Sequence, residues 1–506
     1  MMKKFGNFMF AMCVVLLIVI ATIVKPLSNL DEVWNFNVGR CIANGLVPYK
    51  DISMVSTPLL GFLISIPLRI FGQEMFYIRV FAIILGLLCF ISIFKIFKKL
   101  EIKSEITNIF ILVITALLCN FIYAEYNLLS LFFILQIISL EIRVIKNKRW
   151  DRWVVDLLIG LLAGLIICSK QSIGLVISII AIIIPALRIN GKKDLYKGFR
   201  SFITRFIGVL VPVDILLFYL KQNGAFHDFL NYSVYGLKTF SNSVSYKDFF
   251  FKSNELYKLL AIIVPLVIIT TIIVSIVFRI KKKNDKIAST VALYSLGTFA
   301  MVYPIADRWH FSIAIIPGLI LMVYVLKLLC SKSECFRNMN FKYLLEFINV
   351  CSILSILVAT VCIEFVYRDN LGMTTKYDYQ KHFRYINISA VTNNSINEIN
   401  EFASVKEKKV YILDASAAVY MIPIDRYNKN YDMFLLGNIG AGGEDAIIEQ
   451  IKSEDALYFI AKDEANVNWQ NPPKVRAYIK ENMECLGVKG YFEIYQNKTE
   501  DNTKQE

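Results

Sequence analysis

Eleven runs of apolar residues alternate with short polar segments along the first 366 residues of the chain. A transmembrane helix needs about 20 predominantly apolar residues, so each run is a candidate span. The runs occupy residues 8–25, 79–98, 106–123, 127–142, 153–169, 172–187, 203–220, 258–278, 288–304, 311–329 and 343–366. This pattern predicts a polytopic α-helical membrane protein with about eleven transmembrane helices.

Lysine and arginine in the short loops indicate the orientation of these helices. With Lys3 and Lys4 inside the cell, every second loop is basic and lies on the cytoplasmic side. These five loops are KIFKKLEIK, IRVIKNKRWDRW, RINGKKDLYKGFR, FRIKKKNDK and KLLCSKSECFRNMNFK. The sequence therefore predicts a multi-pass plasma-membrane protein whose N-terminus is cytoplasmic and whose C-terminal part is extracytoplasmic.

One further apolar segment, residues 57–72, is close to the lower limit for a span and contains Pro67 and Arg69. Counting this segment as a span would place all five basic loops outside, against the charge rule. We therefore expect it to lie against the outer membrane interface. Residues 26–78 then form one large outer loop that contains short helices.

The composition is typical of a membrane protein and argues against nucleic acid as a partner. Hydrophobic residues make up 56% of the chain and charged residues 19%, which excludes an ordinary soluble protein. The net charge of +14 arises largely from the basic loops, so we expect no nucleic-acid partner. With 10 cysteines found mostly in apolar runs and only 3 histidines, the chain shows neither a disulfide framework nor a His-rich metal site.

The last part of the chain has the composition of a soluble domain. Residues 367–506 contain strand-like runs at 408–416, 431–437, 456–462 and 491–496, with helical stretches at 444–454 and 473–487. This alternation predicts a small extracytoplasmic α/β domain. The glycine-rich segment 437–445 lacks P-loop or Rossmann spacing and is expected to be a loop, and the tail 497–506 is expected to be disordered.

Polar residues that are candidates for chemistry fall in four loops that the topology places on the outer side. Charged groups near a membrane are costly and therefore tend to be functional or paired. A mixed acidic and basic pocket there would suit a substrate with an anionic headgroup and a lipid tail, with a carboxylate as general base and cations on phosphate. The candidates are Asp31, Glu32, Tyr49, Lys50, Asp51, Glu125, Asn127, Lys170, Gln171, Asp307, Arg308 and His310.

Each of these groups also has a purely structural interpretation. Carboxylates in the first turn of a helix favour its dipole, and polar residues often form turns and caps. The structural roles are a charged first turn for Asp31 and Glu32, a tight turn for Lys170 and Gln171, and a cap for Asp307 and His310. Asp214, in the middle of a predicted span, is expected to be a structural partner within the helix bundle.

The first outer loop resembles that of the GT-C glycosyltransferases, which include protein O-mannosyltransferases and lipid A aminoarabinose transferases. The similar stretch is NLDEVWNFNVGRCIANGLVPYKDISMVSTPLLGFLISIPLRIFG. The shared pattern is an acidic pair, then G-x-x-P-Y-x-D, then Pro-Leu, here Asp31-Glu32, Gly45 to Asp51 and Pro58-Leu59. GLLAGLIICSKQSIGL and YPIADRWHFSIAIIP also look like segments of bacterial members, so the resemblance covers residues 1–330.

The resemblance implies an inverting sugar transfer from a polyprenyl-phosphate donor to an acceptor hydroxyl on the outer face. Asp31 would be the general base, and Glu32 would orient it or contact the acceptor. A later outer acid of the family corresponds to Glu125 or Asn127; in the second case that carboxylate is missing here. Tyr49, Asp51 and Asp307 are further pocket candidates.

The residues that bind the donor phosphate must differ from those of the aminoarabinose transferases, which carry a phosphate-binding lysine before the Pro pair. Ser56 and Thr57 stand at that point here. We therefore expect Lys170, supported by Gln171, Arg308 and His310, to bind the phosphate. No catalytic metal or other cofactor is expected, although a divalent ion is compatible with the wider superfamily.

Two other functions remain open at this point. A transporter or flippase for lipid-linked sugars would show inverted repeats and midplane charges in broken helices, which the sequence lacks. A polysaccharide polymerase or ligase would carry arginine-rich outer loops. The preferred interpretation is a transferase module at residues 1–366 with a soluble domain at residues 367–506, acting on an envelope protein, lipid or glycan acceptor.

Overall fold

The computed structural model describes residues 2–27, 30–146, 152–189, 192–239, 244–280, 285–332, 358, 380–405, 408–428, 431–463, 467 and 470–498. The first helices are α1 (Met2–Ile23), α2 (Leu30–Ala43), α3 (Leu59–Phe71), α4 (Met75–Lys99), α5 (Ser104–Leu118), α6 (Tyr126–Lys146), α7 (Arg152–Ser169) and α8 (Gln171–Leu187). Next come α9 (Lys192–Gln222), α10 (Phe226–Phe229), α11 (Tyr246–Lys252), α12 (Glu255–Ile280), α13 (Lys286–Thr298), α14 (Arg308–Ala314) and α15 (Ile316–Lys332).

The C-terminal part contains four helices and four strands among the described residues. The helices are α16 (Ala390–Val405), α17 (Ala417–Met421), α18 (Gly443–Ser453) and α19 (Pro473–Asn482). The strands are β1 (Lys409–Ile412), β2 (Ala456–Ala461), β3 (Glu484–Lys489) and β4 (Phe492–Gln496). The fold is therefore an α-helical membrane protein with a small C-terminal α/β part, as predicted.

The chain divides into two compact units that are not contiguous in sequence. The first unit, called the helical unit, comprises residues 1–22, 81–216 and 243–365. The second, called the mixed unit, comprises residues 23–80, 217–242 and 366–506. Residues 26–78, which are predicted to form the first outer loop, thus share a compact unit with the C-terminal sheet.

Ten of the eleven predicted apolar runs coincide with described helices, and the run at 343–366 lies outside the described residues. By length and composition alone, four described helices are able to cross a membrane: Met75–Lys99, Tyr126–Lys146, Asp194–Gln222 and Glu255–Phe278. A fifth span results if α14 and α15, bent by 43°, count as one. The apolar stretches counted in the other helices, such as Phe8–Ile23 and Trp153–Ser169, are 10–17 residues long.

Helix α3 covers most of the segment that we expected to lie against the membrane interface. Its 13 residues give a length of roughly 20 Å, which is too short to cross a bilayer. It packs closely on α2, because a Cβ on Gly61 would lie 2.7 Å from Val38 and 2.9 Å from Ile42. The prediction of short helices within the outer loop is confirmed.

Small residues allow close packing in the helical unit. Gly160 and Gly164, spaced four residues apart on α7, face the backbone of α9 at Arg205 and Val209. A side chain at either glycine would collide with that backbone. This close approach of two apolar helices is the packing expected in a membrane protein.

The sheet has the strand order β1-β2-β4-β3. β1 and β2 are parallel, and the other two pairs are antiparallel. Every residue of β2 is buried, which fits a central strand covered on both faces. The predicted strands at 456–462 and 491–496 and the helix at 444–454 are confirmed, and the strand predicted at 408–416 is confirmed over Lys409–Ile412.

Two secondary-structure expectations in this domain are wrong. Residues 431–437 form turns rather than a strand, because the side chain of Asn428 already bonds the backbone N–H and C=O of Ile412 on β1, at 2.9 and 2.7 Å. The predicted helix 473–487 ends at Asn482, and Glu484 begins β3. The segment 437–445 runs as a loop into α18, with Gly437 and Gly440 at positive φ.

Candidate active site

The acidic pair lies in the first turn of α2, within the mixed unit. Glu32 is buried and accepts two hydrogen bonds from the guanidinium of Arg79, at 3.2 Å from Nε and 3.1 Å from Nη2. Arg79 is also buried and donates to the carbonyl of Ile23 at 2.9 Å. The pair is therefore a bidentate ion pair that holds the start of α2.

Three more side chains of α2 bind the C-terminal part of the same unit. Trp34 Nε1 donates to the carbonyl of Ala415 at 2.7 Å, and Asn37 Nδ2 donates to Asp432 Oδ1 at 3.1 Å. Arg40 donates to the carbonyl of Arg426 at 3.0 Å. These bonds hold α2 against the α/β part along most of its length.

Asp31 is half-buried. On α2 it lies beside Trp34, which follows three residues later, and on the side opposite Arg40. Asn35 follows one turn later on the face that carries Asp31. Its side-chain nitrogen is buried and has no hydrogen-bond partner among the described residues. A carboxylate and an amide donor thus share one face of a firmly held helix.

The segment after α2 folds back on itself. Tyr49 is buried at a φ of 71°, and its hydroxyl donates to the carbonyl of Ser56 at 2.8 Å. Asp51 Oδ2 accepts from the backbone N–H of Val47 at 2.8 Å, and Lys50 donates to the carbonyl of Asn223 at 3.3 Å. In the described structure, Tyr49 and Asp51 therefore shape this turn.

The helical unit brings two of the predicted polar segments together. Asn127 is fully buried; its amide nitrogen donates to Glu125, and its Oδ1 accepts from Lys170 Nζ at 2.9 Å. Glu125 also accepts from the backbone N–H of Leu128 at 3.0 Å, so it caps α6. The Lys170 ammonium lies 4.9 Å from the centre of the Tyr126 ring. A buried acid and amide thus position a lysine.

The short turn at Lys170 and Gln171 joins α7 directly to α8, as the structural interpretation predicted. Lys170 occupies the N-cap position of α8, and Gln171 is its first residue. The turn interpretation and the contact with Asn127 are compatible, since the ammonium extends beyond the backbone turn.

A third segment of the helical unit contains Asp307, Arg308 and His310. Asp307 is the N-cap of α14 and accepts from the backbone N–H and Nδ1 of His310, at 2.8 and 2.9 Å. Burial raises the pKa of Asp307, but the hydrogen bonds from His310 outweigh it, and the net shift is downward. The capping interpretation of Asp307 and His310 is confirmed. Arg308 lies 5.7 Å from the Tyr257 ring.

Trp309 connects this segment to the loop that precedes α6. Its ring stacks on Tyr123 at 4.6 Å between centroids. Its Nε1 is buried without a hydrogen-bond partner in the described part of the chain. Sequence analysis did not single out Trp309, although its place between Arg308 and His310 was available as a signal.

The structure thus groups the candidates within each unit. The mixed unit holds Asp31, Glu32, Tyr49, Lys50 and Asp51; the helical unit holds Glu125, Asn127, Lys170, Gln171, Asp307, Arg308 and His310. Arg79 and Asn35 were missed because nothing in their local sequence distinguishes them. Asp214 is exposed on α9 without a hydrogen bond or ion pair to any described residue, so its expected role as a bundle partner is wrong.

Within the described residues, no group of three or more His, Cys, Asp or Glu side chains is arranged to hold a metal ion. The candidate groups instead offer carboxylates, amides and cations, which serve proton transfer and the binding of anions.

Part of the amino-acid sequence matches a known protein family. Residues 55–220 match the family of dolichyl-phosphate-mannose-protein mannosyltransferases. No curated protein sequence matches the chain.

Solved structures of membrane enzymes have the same architecture. ArnT from Cupriavidus metallidurans bound to undecaprenyl phosphate is 10% identical with a TM-score of 0.52, covering 98% of this chain and 99% of ArnT. Its apo state gives 9% identity and a TM-score of 0.54, with 98% of each chain covered. The arabinofuranosyltransferase AftD from Mycobacteria is 11% identical with a TM-score of 0.51, covering 99% of this chain and 40% of AftD. The expected GT-C fold is confirmed.

Proposed function

We propose that this chain, which has the fold of the GT-C glycosyltransferases, is a membrane glycosyltransferase. It moves a sugar from a polyprenyl-phosphate donor to an acceptor hydroxyl at the extracytoplasmic face of the plasma membrane. The fold supports this proposal because nearly the whole chain matches an enzyme solved with undecaprenyl phosphate. The match of residues 55–220 to a family that uses a lipid-phosphate sugar supports the same donor class.

The transfer is a single displacement in which Asp31 acts as general base. The acceptor oxygen forms a bond to the anomeric carbon while the bond from that carbon to the phosphate oxygen breaks. The acceptor proton passes to the Asp31 carboxylate, and the bonding electron pair leaves with the polyprenyl phosphate. Attack opposite the leaving group inverts the configuration at the anomeric carbon. Proton transfer of this kind contributes roughly 10²–10⁴-fold to a rate.

The observation that carries the assignment is the way α2 holds Asp31. The buried Glu32–Arg79 ion pair and the bonds of Trp34 and Asn37 hold the helix in place. A general base needs such a fixed position relative to the proton it removes. Glu32 is then a positioning residue, and the amide of Asn35 is available to bind substrate.

Lys170 is proposed to bind the donor phosphate, with Gln171, Arg308 and His310 in support. The bond from Lys170 to Asn127 holds the ammonium, and Glu125 holds Asn127 in turn. The later acid of the family is therefore assigned to Glu125 in a positioning role. Cations that stabilise the leaving phosphate make a metal unnecessary in this proposal.

The C-terminal domain is proposed to bind the acceptor. A cavity of about 380 Å³ in the mixed unit is lined by Leu46, Asp51, Lys409, Val410, Tyr411, Arg426 and Tyr427. Aromatic rings beside charged groups suit a polar glycan or glycolipid headgroup. This lining supports a glycan or glycolipid as the acceptor.

Asp31→Asn tests the proposal directly. We expect the variant to lose transfer by about 10²-fold or more, because the amide cannot accept the acceptor proton. The measurement is mass spectrometry of cell-envelope glycans from a deletion strain that carries the wild-type or the variant gene. Equal amounts of a folded variant, judged by thermal unfolding, serve as the control. Wild-type glycans in that strain would rule out Asp31 as the base.

A further inference from the structure

A second polar site lies in the helical unit, at the opposite ends of α6 and α8 from Asn127 and Lys170. α8 is 17 residues long, so this site is roughly 25 Å from Lys170 along the helix. A cavity of about 200 Å³ opens here. Its lining includes Asp156, Arg188, Asp194, Lys197, Ser201, Arg205 and Lys286.

Buried ion pairs form the floor of this cavity. Arg205 donates to Glu141 at 2.5 Å and to Asp156 at 2.8 Å, and Arg188 donates to Glu141 at 2.7 Å. Arg188 keeps a buried Nε without a partner among the described residues. The floor therefore pairs two arginines with two carboxylates and retains one unused donor.

The rim of the cavity carries charges that the described protein does not pair. Lys197, Lys286 and Asp194 form no ion pair with any described residue. Among the residues that the structure describes, two rim cations face one rim carboxylate and the floor is neutral, so the described lining has a net charge of one positive. A phosphodiester carries one negative charge and would neutralise it, whereas a doubly charged phosphate monoester would exceed it.

The exposed apolar face of α9 indicates that such a phosphodiester belongs to a membrane lipid. Lys197, Ser201 and Arg205 repeat at four-residue intervals on the face that lines the cavity. The opposite face exposes Leu195, Tyr196, Phe199, Ile203 and Phe206. The start of α9, before the candidate span at 203–220, thus has one polar and one exposed apolar face. Such a segment suits a position at the membrane interface, where acyl chains cover the apolar side.

We propose that this cavity binds the headgroup of an anionic phospholipid with a singly charged phosphodiester. Lys197 and Lys286 bind the phosphate from the rim, Arg188 Nε donates from the floor, and the acyl chains lie along Leu195 and Phe199. The site is separate from the proposed transferase chemistry, and its test does not require activity.

The experiment compares lipids and variants of the full chain purified in neutral detergent. Phosphatidylglycerol should raise the melting temperature by several degrees more than zwitterionic phosphatidylcholine, and native mass spectrometry should detect its retention. The double variant Lys197→Ala/Lys286→Ala should lose both effects. Arg200→Ala removes a cation from the same helix outside the cavity and should keep both effects.

Three results would overturn the proposal. The double variant could retain phosphatidylglycerol as well as the wild type does. Arg200→Ala could lose it equally, which would indicate a diffuse effect of surface charge. Inorganic phosphate alone could give the full rise in melting temperature, which would assign the cavity to a soluble anion instead of a lipid.

Discussion

Lys170 illustrates how a residue in a two-helix turn acquires a defined position. The turn alone would leave a long side chain with many rotamers, and the bond to Asn127 selects among them. Asn127 in turn is held by Glu125, which also caps α6. Glu125 and Asn127 are the two candidates for the later acid of the family. Hydrogen bonds link Glu125 to Asn127 and Asn127 to Lys170.

Replacement of Lys170 by methionine should weaken the binding of a lipid phosphate. A charge-assisted hydrogen bond contributes about 1.5–3 kcal/mol, so affinity should fall roughly tenfold to hundredfold. The measurement is the rise in melting temperature with undecaprenyl phosphate across a concentration series. Lys258→Met, which removes a half-buried lysine paired with the exposed Glu255, should leave the series unchanged. Equal affinities for both variants would contradict the phosphate-binding role.

Asp432 is a buried carboxyl whose protonation should affect stability. Burial raises its pKa to about 7, although the bond from Asn37 opposes the shift. An unfolded aspartate titrates near pH 4, about 3.9 in model peptides. The folded state therefore binds more protons between these values, and stability falls as the pH rises from about 4 to about 7.

The variant Asp432→Asn should remove this component of the pH dependence and unfold at a higher temperature than the wild type at pH 8. Melting temperatures of both proteins between pH 4 and pH 8 provide the test. Asp445→Asn, at an exposed position, is the control and should follow the wild type. Parallel curves for wild type and Asp432→Asn would show that Asp432 does not titrate in this range.

At the scale of secondary structure, α2 shows how a short helix is held by contacts outside itself. Fourteen residues form a marginal helix in isolation, so tertiary contacts must stabilise it. Glu32 binds Arg79 at the start of α2, and Asn37 and Arg40 bind the C-terminal part further along. Close packing against α3 through Gly61 adds a third contact.

Glu32→Gln should destabilise the protein without removing the proposed base. The change leaves the Arg79 charge buried without a matching carboxylate, at a cost of about 3–5 kcal/mol. Thermal unfolding should therefore shift downward for Glu32→Gln but much less for Asp31→Asn. The double variant Glu32→Met/Arg79→Met should recover most of the loss, since it removes both charges. A double variant no better than Glu32→Gln would argue against the ion pair as the cause.

At the scale of the whole molecule, each compact unit combines segments that are distant in sequence. Residues 23–80 form a compact unit with the C-terminal sheet, although 328 residues of sequence lie between Val80 and the start of β1 at Lys409. The acidic pair thus belongs to the same unit as the domain proposed to bind the acceptor. The lysine proposed to bind phosphate belongs to the helical unit.

The predicted topology can be tested with an impermeant thiol reagent on intact cells. A cysteine introduced at Gln450 should be labelled if the C-terminal domain is extracytoplasmic. A cysteine at Lys283, which lies outside the described residues, should be labelled only after the cells are opened. Both cysteines are introduced into the double variant Cys330→Ser/Cys485→Ser, because the native Cys330 and Cys485 are exposed. Labelling of position 283 but not of position 450 in intact cells would reverse the orientation.

Most of the architecture follows from the sequence because its signals are local. Long apolar runs predict helices, and short apolar runs such as the one at 456–462 predict buried strands. The turn at Lys170, the cap at Asp307 and the acidic first turn of α2 are likewise encoded within a few residues. The strand expected at 431–437 does not form because the side chain of Asn428 occupies this edge of β1. That side chain accepts a hydrogen bond from the N–H of Ile412 and donates one to its C=O.

The sequence by itself determined the fold class, the order of the helices and the chemical types available for catalysis. Only the tertiary structure decided their partners: Arg79 for Glu32, Asn127 for Lys170 and Tyr123 for Trp309. The reason is physical. Hydrophobic periodicity reports which face of each element is buried, whereas the pairing of polar groups depends on how elements distant in sequence pack together, which no local pattern records.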